Sequence, residues 1–238
     1  MSIKRGFIRG LWGINDKSHH IKERKYRVDN NIGAIIKNNY NEPFVCYTYG
    51  KDSHEYMIKC GFNSVLVDNE PFKWDLIENQ YRHKLEILRY AMEEDKYDEI
   101  VLLDWDCFPL KRLPSNFWEE LGKKGVMQAN LMKYRRPKCY WRESKEAHHY
   151  LPNAGFLYIR DKSIPAKIIQ AWEWVKNNKQ SAEPAMAKVM DDMTDGWKGL
   201  EHYQTNFEPE FCKLARKSPY PNSSKKDICF QHNAGGGS

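Results

Sequence analysis

No stretch of about 18 uninterrupted apolar residues occurs anywhere in the sequence, so a membrane-spanning helix is not expected. The opening residues, Met1-Ser2-Ile3-Lys4-Arg5-Gly6, lack the apolar core of a secretory leader. There is no Gly-x-Gly-x-x-Gly turn and no Gly-x-x-x-x-Gly-Lys-Ser loop, so neither a dinucleotide fold nor a P-loop has support. The six cysteines (Cys46, Cys60, Cys107, Cys139, Cys212 and Cys229) contain no pair at the close spacing of a zinc knuckle or a redox motif. Several stand among apolar residues, as core thiols do, and a reducing, cytoplasmic setting is expected. The only dense basic run, Lys22-Glu23-Arg24-Lys25-Tyr26-Arg27, includes a glutamate and matches no nucleic-acid-binding pattern. No internal repeat is visible.

Hydrophobic residues make up 41% and charged residues 29% of the 238, a balance that fits a folded globular chain and argues against general disorder. One domain over residues 1–238 is expected, since no linker interrupts the chain. The formal charge of +6 suits a solvated surface with a locally basic pocket for a phosphorylated ligand. Gly235-Gly236-Gly237-Ser238 reads as a flexible tail.

Strands are expected over 6–11, 45–49 and 64–68, where β-branched and aromatic residues cluster between turn signals. Residues 14–31 are polar and read as loop with some helix. From Gln80 to Asp95, Leu85, Leu88 and Met92 recur at helical spacing. Ile100-Val101-Leu102-Leu103 is a short continuous apolar run, the mark of a strand buried on both faces. Further strands are expected over 125–130 and 155–159, and helices over 116–122, 165–176 and 184–190. Alternating strands and helices imply a doubly wound α/β sheet with its ligands at the carboxyl ends of the strands.

Asp104 and Asp106 follow the aliphatic run directly. Charges placed beside a buried strand must be paired or metal-bound, because isolated buried charges are costly. In an extended segment residues i and i+2 point the same way, so both carboxylates can reach one ligand while Trp105 points elsewhere. Hard cations such as Mg²⁺ and Mn²⁺ prefer oxygen donors and bridge carboxylates to phosphates.

Glu99-Ile100-Val101-Leu102-Leu103-Asp104-Trp105-Asp106-Cys107 resembles the strand and Asp-x-Asp motif of GT-A-fold glycosyltransferases. Pro152-Asn153-Ala154-Gly155-Phe156-Leu157-Tyr158-Ile159-Arg160 is similar to the Asn-x-Gly strand of those enzymes. The resemblance implies a single-domain, GT-A-like, mixed but mainly parallel sheet flanked by helices. Residues 1–106 would form the nucleotide-binding half, 107–232 the acceptor-binding half and 234–238 the tail. It implies transfer of a sugar from a nucleoside diphosphate donor, UDP-linked by expectation, to an acceptor hydroxyl of a glycan. Asp106 and the late His232, which a short strand in Ile228-Cys229-Phe230-Gln231-His232-Asn233 would deliver, would hold Mn²⁺ or Mg²⁺, and Asp104 would serve the metal or the donor ribose.

By the same resemblance, Arg82 or Lys84 would contact the donor nucleotide or its phosphates. Arg9, Gly10, Leu11 and Trp12 would lie under the nucleobase, with Gly10 and Gly13 allowing close approach. Trp105 would belong to the donor site. Asn153 would contact the transferred sugar or the acceptor, with Ala154 and Gly155 leaving space beside it. Glu183, Asp191, Asp192 and Glu201 are candidates for the catalytic carboxylate; the Asp-Gln pair that retaining relatives carry near Glu183 is absent. Trp141, Trp197 and Tyr203 are candidate sugar platforms. Arg135, Arg136 and Arg142 are candidate contacts for phosphate or an acidic acceptor, and His148-His149 reads as loop. A sugar-phosphate nucleotidyltransferase and a non-catalytic nucleotide-sugar-binding module remain alternatives; the first would normally show a Gly-rich basic N-terminal loop, of which Gly6-Phe7-Ile8-Arg9-Gly10 is a poor version.

Overall fold

The computed structural model describes residues 2–14, 20–37, 43–67, 77–175, 182–193, 209, 211–214 and 228–233. Trp197, Glu201, Tyr203 and the Gly-rich tail lie outside them. Strand β1 (Arg5–Trp12), helix α1 (His20–Lys37), β2 (Phe44–Tyr49), α2 (Lys51–Lys59), β3 (Asn63–Leu66), α3 (Ile77–Glu93) and β4 (Glu99–Leu103) make up the first half. There follow β5 (Cys107–Pro109), α4 (Phe117–Lys124), β6 (Met127–Lys133), β7 (Tyr150–Ile159), α5 (Ile164–Val175), α6 (Ala182–Met193), β8 (Cys212–Leu214) and β9 (Phe230–His232).

The main sheet has the order β3-β2-β1-β4-β7-β6. The pairs β1–β2, β2–β3 and β1–β4 are parallel. Only β7 runs against the rest, since it is antiparallel to both β4 and β6. The expected mixed, mainly parallel sheet flanked by helices is the one observed. Side chains alternate across it with the period of two that strands impose. Ile8, Ile100, Leu102, Leu157 and Ile159 join a core with α3, α5 and α6. Phe7, Leu11, Val101, Leu103, Phe156 and Tyr158 join another with residues of α1, α2 and α4. Phe7 anchors this second layer, its ring stacked on Phe44 at 4.6 Å and tilted against Trp118 at 5.4 Å.

The chain builds outward from β1 to β2 and β3, then returns to lay β4 on the other side of β1. That reversal leaves a crevice at the carboxyl ends of β1 and β4, where open α/β sheets bind ligands. Asp104 is the first residue beyond β4.

Two expectations change. Most of residues 14–31 was expected to be loop, yet an 18-residue helix begins at His20. Its signal is weak because Val28, Ile32 and Ile35 are a sparse apolar stripe in a charged segment. Of the small sheet β5-β9-β8, only the short strand that carries His232 was expected. The other two strands are three residues each, too short to show a pattern in sequence. Among the described residues no helix is long and apolar enough to cross a membrane.

Candidate functional site

Asp104 is anchored to the sheet by its backbone, whose N–H donates to the Gly155 carbonyl at 3.0 Å. The chain then turns rather than staying extended, and the Cys107 N–H closes on the Asp104 carbonyl at 2.9 Å. The strand-alternation argument for bringing Asp104 and Asp106 together is therefore replaced by a turn. What fixes that turn is a set of donors beneath it. Arg9, fully buried, donates from Nη1 to Asp104 O at 2.9 Å and from Nη2 to Cys107 O at 3.3 Å. Asn31, also fully buried, donates to Trp105 O at 3.1 Å and Cys107 O at 3.0 Å, and accepts from Arg9 at 2.6 Å. Asp106 O accepts from the Asn233 N–H at 2.9 Å. With the turn's carbonyls held from below and by Asn233, just after β9, the two carboxylates are left to the crevice.

The third member arrives on β9, which pairs antiparallel with β5 in a register that sets His232 against Cys107. The ring lies over the α-carbon of Gly155. A β-carbon on Gly155 would sit 1.9 Å from His232 Cε1 and 2.1 Å from Nε2. The glycine of the Asn-x-Gly strand thus makes room for an imidazole, where space for a sugar had been expected. Asp104, Asp106 and His232 each present a ligand atom, all within 4.8 Å of one another.

This donor set fits a divalent ion. His232 Nε2 stands 3.1 Å from Asp106 Oδ1, yet that carboxylate oxygen has no hydrogen bond among the described residues. Two ligand-type groups this close could hold a cation between them. The imidazole Nδ1 is likewise buried without a hydrogen-bond partner there. Two carboxylates and an imidazole suit Mn²⁺ and tolerate Mg²⁺.

Cations surround the cluster. Lys84 Nζ lies 2.5 Å from Asp104 Oδ1, and Arg27 Nη1 lies 3.7 Å from Asp106 Oδ2. Burial works to lower the Lys84 ammonium, but Asp104, and then Glu183 and Asp106, outweigh it and raise the group. Burial works to raise Asp106, but His232 first, then Lys84 and Arg27, hold it below the usual carboxylate value. His232 is opposed by burial and supported by Asp106 and Asp104, with the net direction upward. Burial pulls Arg9 down to about 10, which leaves it charged at neutral pH.

The other sequence candidates divide. Glu183, in the first turn of α6, is half-buried; its Oε2 has no hydrogen bond among the described residues, and its charge reaches Lys84. Asp191 is different. Its carboxylate takes a two-pronged ion pair from the buried Arg142, at 2.8 and 3.0 Å, and a hydrogen bond from Trp141 Nε1 at 2.9 Å. A carboxylate so committed is not available as a base, Arg142 is not available to a phosphate, and the Trp141 indole is tethered away from a sugar. Asp192 is exposed and paired with Lys188 on its own helix. Arg82 leaves the site for Glu86 and Glu173, at 2.8 and 2.9 Å. Asn153 turns back on its own strand, where Oδ1 accepts the Gly155 N–H at 2.9 Å. His148 and His149 bond to backbone carbonyls of Arg142 and Tyr134.

At the end of β1 the expected nucleobase floor is rearranged. Arg9 is the brace just described, and Leu11 is core. Gly10 lies close under α3, where a β-carbon would meet Ile87 Cδ1 at 2.4 Å. Its carbonyl accepts the Trp105 indole N–H at 2.8 Å, and the Arg9 guanidinium lies over the Trp105 ring. Trp105 therefore locks the turn to β1. Trp12 remains half-buried at the strand's end, tilted against His83. Sequence reasoning missed Arg27 and Asn31. Their spacing of four puts both on one face of α1, a signal hidden in a run that reads as surface charge.

No family model and no curated protein matches this chain. Among solved structures it is similar to a glycosyltransferase involved in the glycosylation of the major capsid of PBCV-1. The identity there is 15% and the TM-score 0.46, over 98% of this chain and 93% of that one. It is also similar to mouse xyloside xylosyltransferase 1 in its apo form, at 10% identity and a TM-score of 0.49, over 98% of each chain. Likeness of that degree carries no argument about chemistry, which has to come from the residues themselves.

Two outcomes follow. Gly155→Ala should drive the His232 ring from its place and weaken Mn²⁺ binding by about 10–100-fold, read by metal titration on a variant whose circular dichroism is unchanged; unaltered affinity would contradict the cradle. Asp191→Ala should cost about 3–5 kcal/mol of stability by stranding the Arg142 charge, read by denaturant unfolding. A fully stable Asp191→Ala protein without turnover would return Asp191 to catalysis.

Proposed function

We propose that residues 1–238 form a metal-dependent glycosyltransferase that moves a sugar from a nucleoside diphosphate donor, UDP-linked in our reading, to an acceptor hydroxyl. The observation that carries this is the Asp104–Asp106–His232 cluster, ringed by Lys84 and Arg27, in the crevice where the strand order reverses. Carboxylates with an imidazole beside them and the cationic Lys84 and Arg27 close by are suited to a metal diphosphate. Neither a bare metal nor a bare anion would need both.

Asp106 and His232 would hold Mn²⁺ or Mg²⁺, with Asp104 completing the set or turning to the donor ribose. When bound, the ion supplies charge that offsets the diphosphate and stabilises it as a leaving group. Lys84 offers the same leaving group a charge-assisted hydrogen bond. Trp12, at the carboxyl end of β1, stays on the nucleobase side. On the acceptor side, Glu183 is the carboxylate left to take a proton among the described candidates, since Asp191 is spent on Arg142 and Asp192 on Lys188. In that step the acceptor oxygen bonds to the anomeric carbon, the bond from that carbon to the diphosphate breaks, and the acceptor proton passes to Glu183 Oε2.

The arrangement of Asp106 gives the test. Purified protein with Mn²⁺ should release nucleoside diphosphate from at least one member of a panel of UDP- and GDP-sugars. Asp106→Ala should lower that rate by about 100-fold or more, because several kcal/mol of charge stabilisation is lost. Release by Asp106→Ala at the wild-type rate, or by no donor with the wild type, would overturn the proposal.

A further inference from the structure

Helices α5 and α6 lie side by side, and a groove of about 570 Å³ remains between them. On α5 it is lined by Lys167, Gln170, Ala171 and Trp174, at the i, i+3, i+4 and i+7 spacing that gathers residues on one helix face. On α6 it is lined by Lys188, Val189, Asp192 and Met193. Ala171 and Val189 are buried and form an apolar floor, and Ala171 is too small to fill the seam. Lys167, Gln170 and Asp192 stand exposed around that floor.

One wall is Trp174, which is 56% exposed and is the one exposed tryptophan among the described residues. Its ring is held in place all the same. Trp141, tied through Nε1 to Asp191 at 2.9 Å, meets it in an edge contact at 5.4 Å between ring centres. The Lys188 ammonium lies over the Trp174 ring at 5.8 Å and pairs with Asp192. The indole is thus oriented before any ligand arrives, which lowers the entropy lost on binding. The groove is also separate from the metal crevice. Asp192 comes about two and a half turns after Glu183, which puts the two on opposite faces of α6. The charge of Glu183 reaches Lys84, on the side of the metal cluster.

The lining matches one class of ligand. A sugar ring presents C–H groups on its faces and hydroxyls around its edge. A fixed indole receives the face. Hydroxyls both donate and accept, and here Asp192 accepts, Lys167 and Lys188 donate, and Gln170 does both. The Lys188–Asp192 pair is partly exposed, so it opens to hydroxyls at little cost. The volume lies in the range of small-ligand sites, and the apolar floor is too narrow to seat a helix of another protein.

We propose that the groove between α5 and α6 is a second ligand site, which binds a carbohydrate chain with Trp174 as its stacking platform and Gln170 and Asp192 as its hydroxyl contacts. The site stands on the groove alone. That the bound chain is the acceptor rests on the glycosyltransferase reading; held there, it keeps its ends at a raised effective concentration near the crevice.

Titration calorimetry of the whole protein against neutral hexasaccharides of glucose, mannose, xylose and N-acetylglucosamine tests the site. At least one should bind. Trp174→Ala should weaken that binding about 10-fold or more, as loss of the aromatic platform implies, and Trp174→Phe should keep most of it. Gln170→Ala should weaken it about 3–10-fold, as loss of one hydrogen bond implies. Asp106→Ala, whatever it does to donor turnover, should bind the hexasaccharide as the wild type does. Binding of no hexasaccharide, or equal binding by the wild type and Trp174→Ala, would overturn the carbohydrate site and leave the metal centre untouched. Binding lost in Asp106→Ala but kept in Trp174→Ala would place the sugar in the crevice and overturn it as well. UDP binding abolished by Trp174→Ala, with no hexasaccharide bound, would make the groove a nucleotide site instead.

Discussion

Four successive carbonyls, those of Asp104, Trp105, Asp106 and Cys107, all accept hydrogen bonds from elsewhere in the chain. Everything proposed for the metal cluster depends on that constraint. A turn on the surface ordinarily gives its carbonyls to water and its side chains to many rotamers. Here Arg9 and Asn31 take three of the four from below, and the N–H of Asn233, the residue after β9, takes the fourth. The carboxylates are thereby aimed by a backbone that has nowhere else to go. Trp105 closes the arrangement, with its indole N–H on Gly10 O and its ring beneath the Arg9 guanidinium.

A fully buried guanidinium is costly, and among the described residues Arg9 has no carboxylate within ion-pair distance. Its carbonyl partners return part of that cost, and Asp104 and Asp106 supply the compensating field across the turn. The same cation that fixes the backbone therefore needs the site's negative charge. Backbone geometry and electrostatics are set by one side chain, which links the stability of the turn to the charge state of the crevice. His232 is held by a different rule, that of space: its ring fits only because Gly155 carries no β-carbon.

The central strand and the acidic pair were legible in sequence, because a four-residue apolar run ending in Asp-x-Asp is a local pattern. His232 was legible through resemblance, together with the short strand that delivers it. What sequence did not disclose is non-local. Arg9 lies 95 residues from Asp104, and its use depends on β1 and β4 being neighbours. Asp191 was a fair candidate base until Arg142, 49 residues away, was found on it. Arg27 and Asn31 were obscured by the charged segment around them, where a helix with few apolar residues looks like a loop. Gly155 was noticed, but its purpose could not be known before β9 was placed over it.

The most direct measurement is anomalous scattering from crystals of this protein grown with Mn²⁺ and UDP. A manganese peak within bonding distance of both the Asp106 carboxylate and His232 Nε2, with the diphosphate beside it, is the predicted result. A peak elsewhere on the chain, or nucleotide bound in the crevice with no manganese at these two residues, would contradict the account.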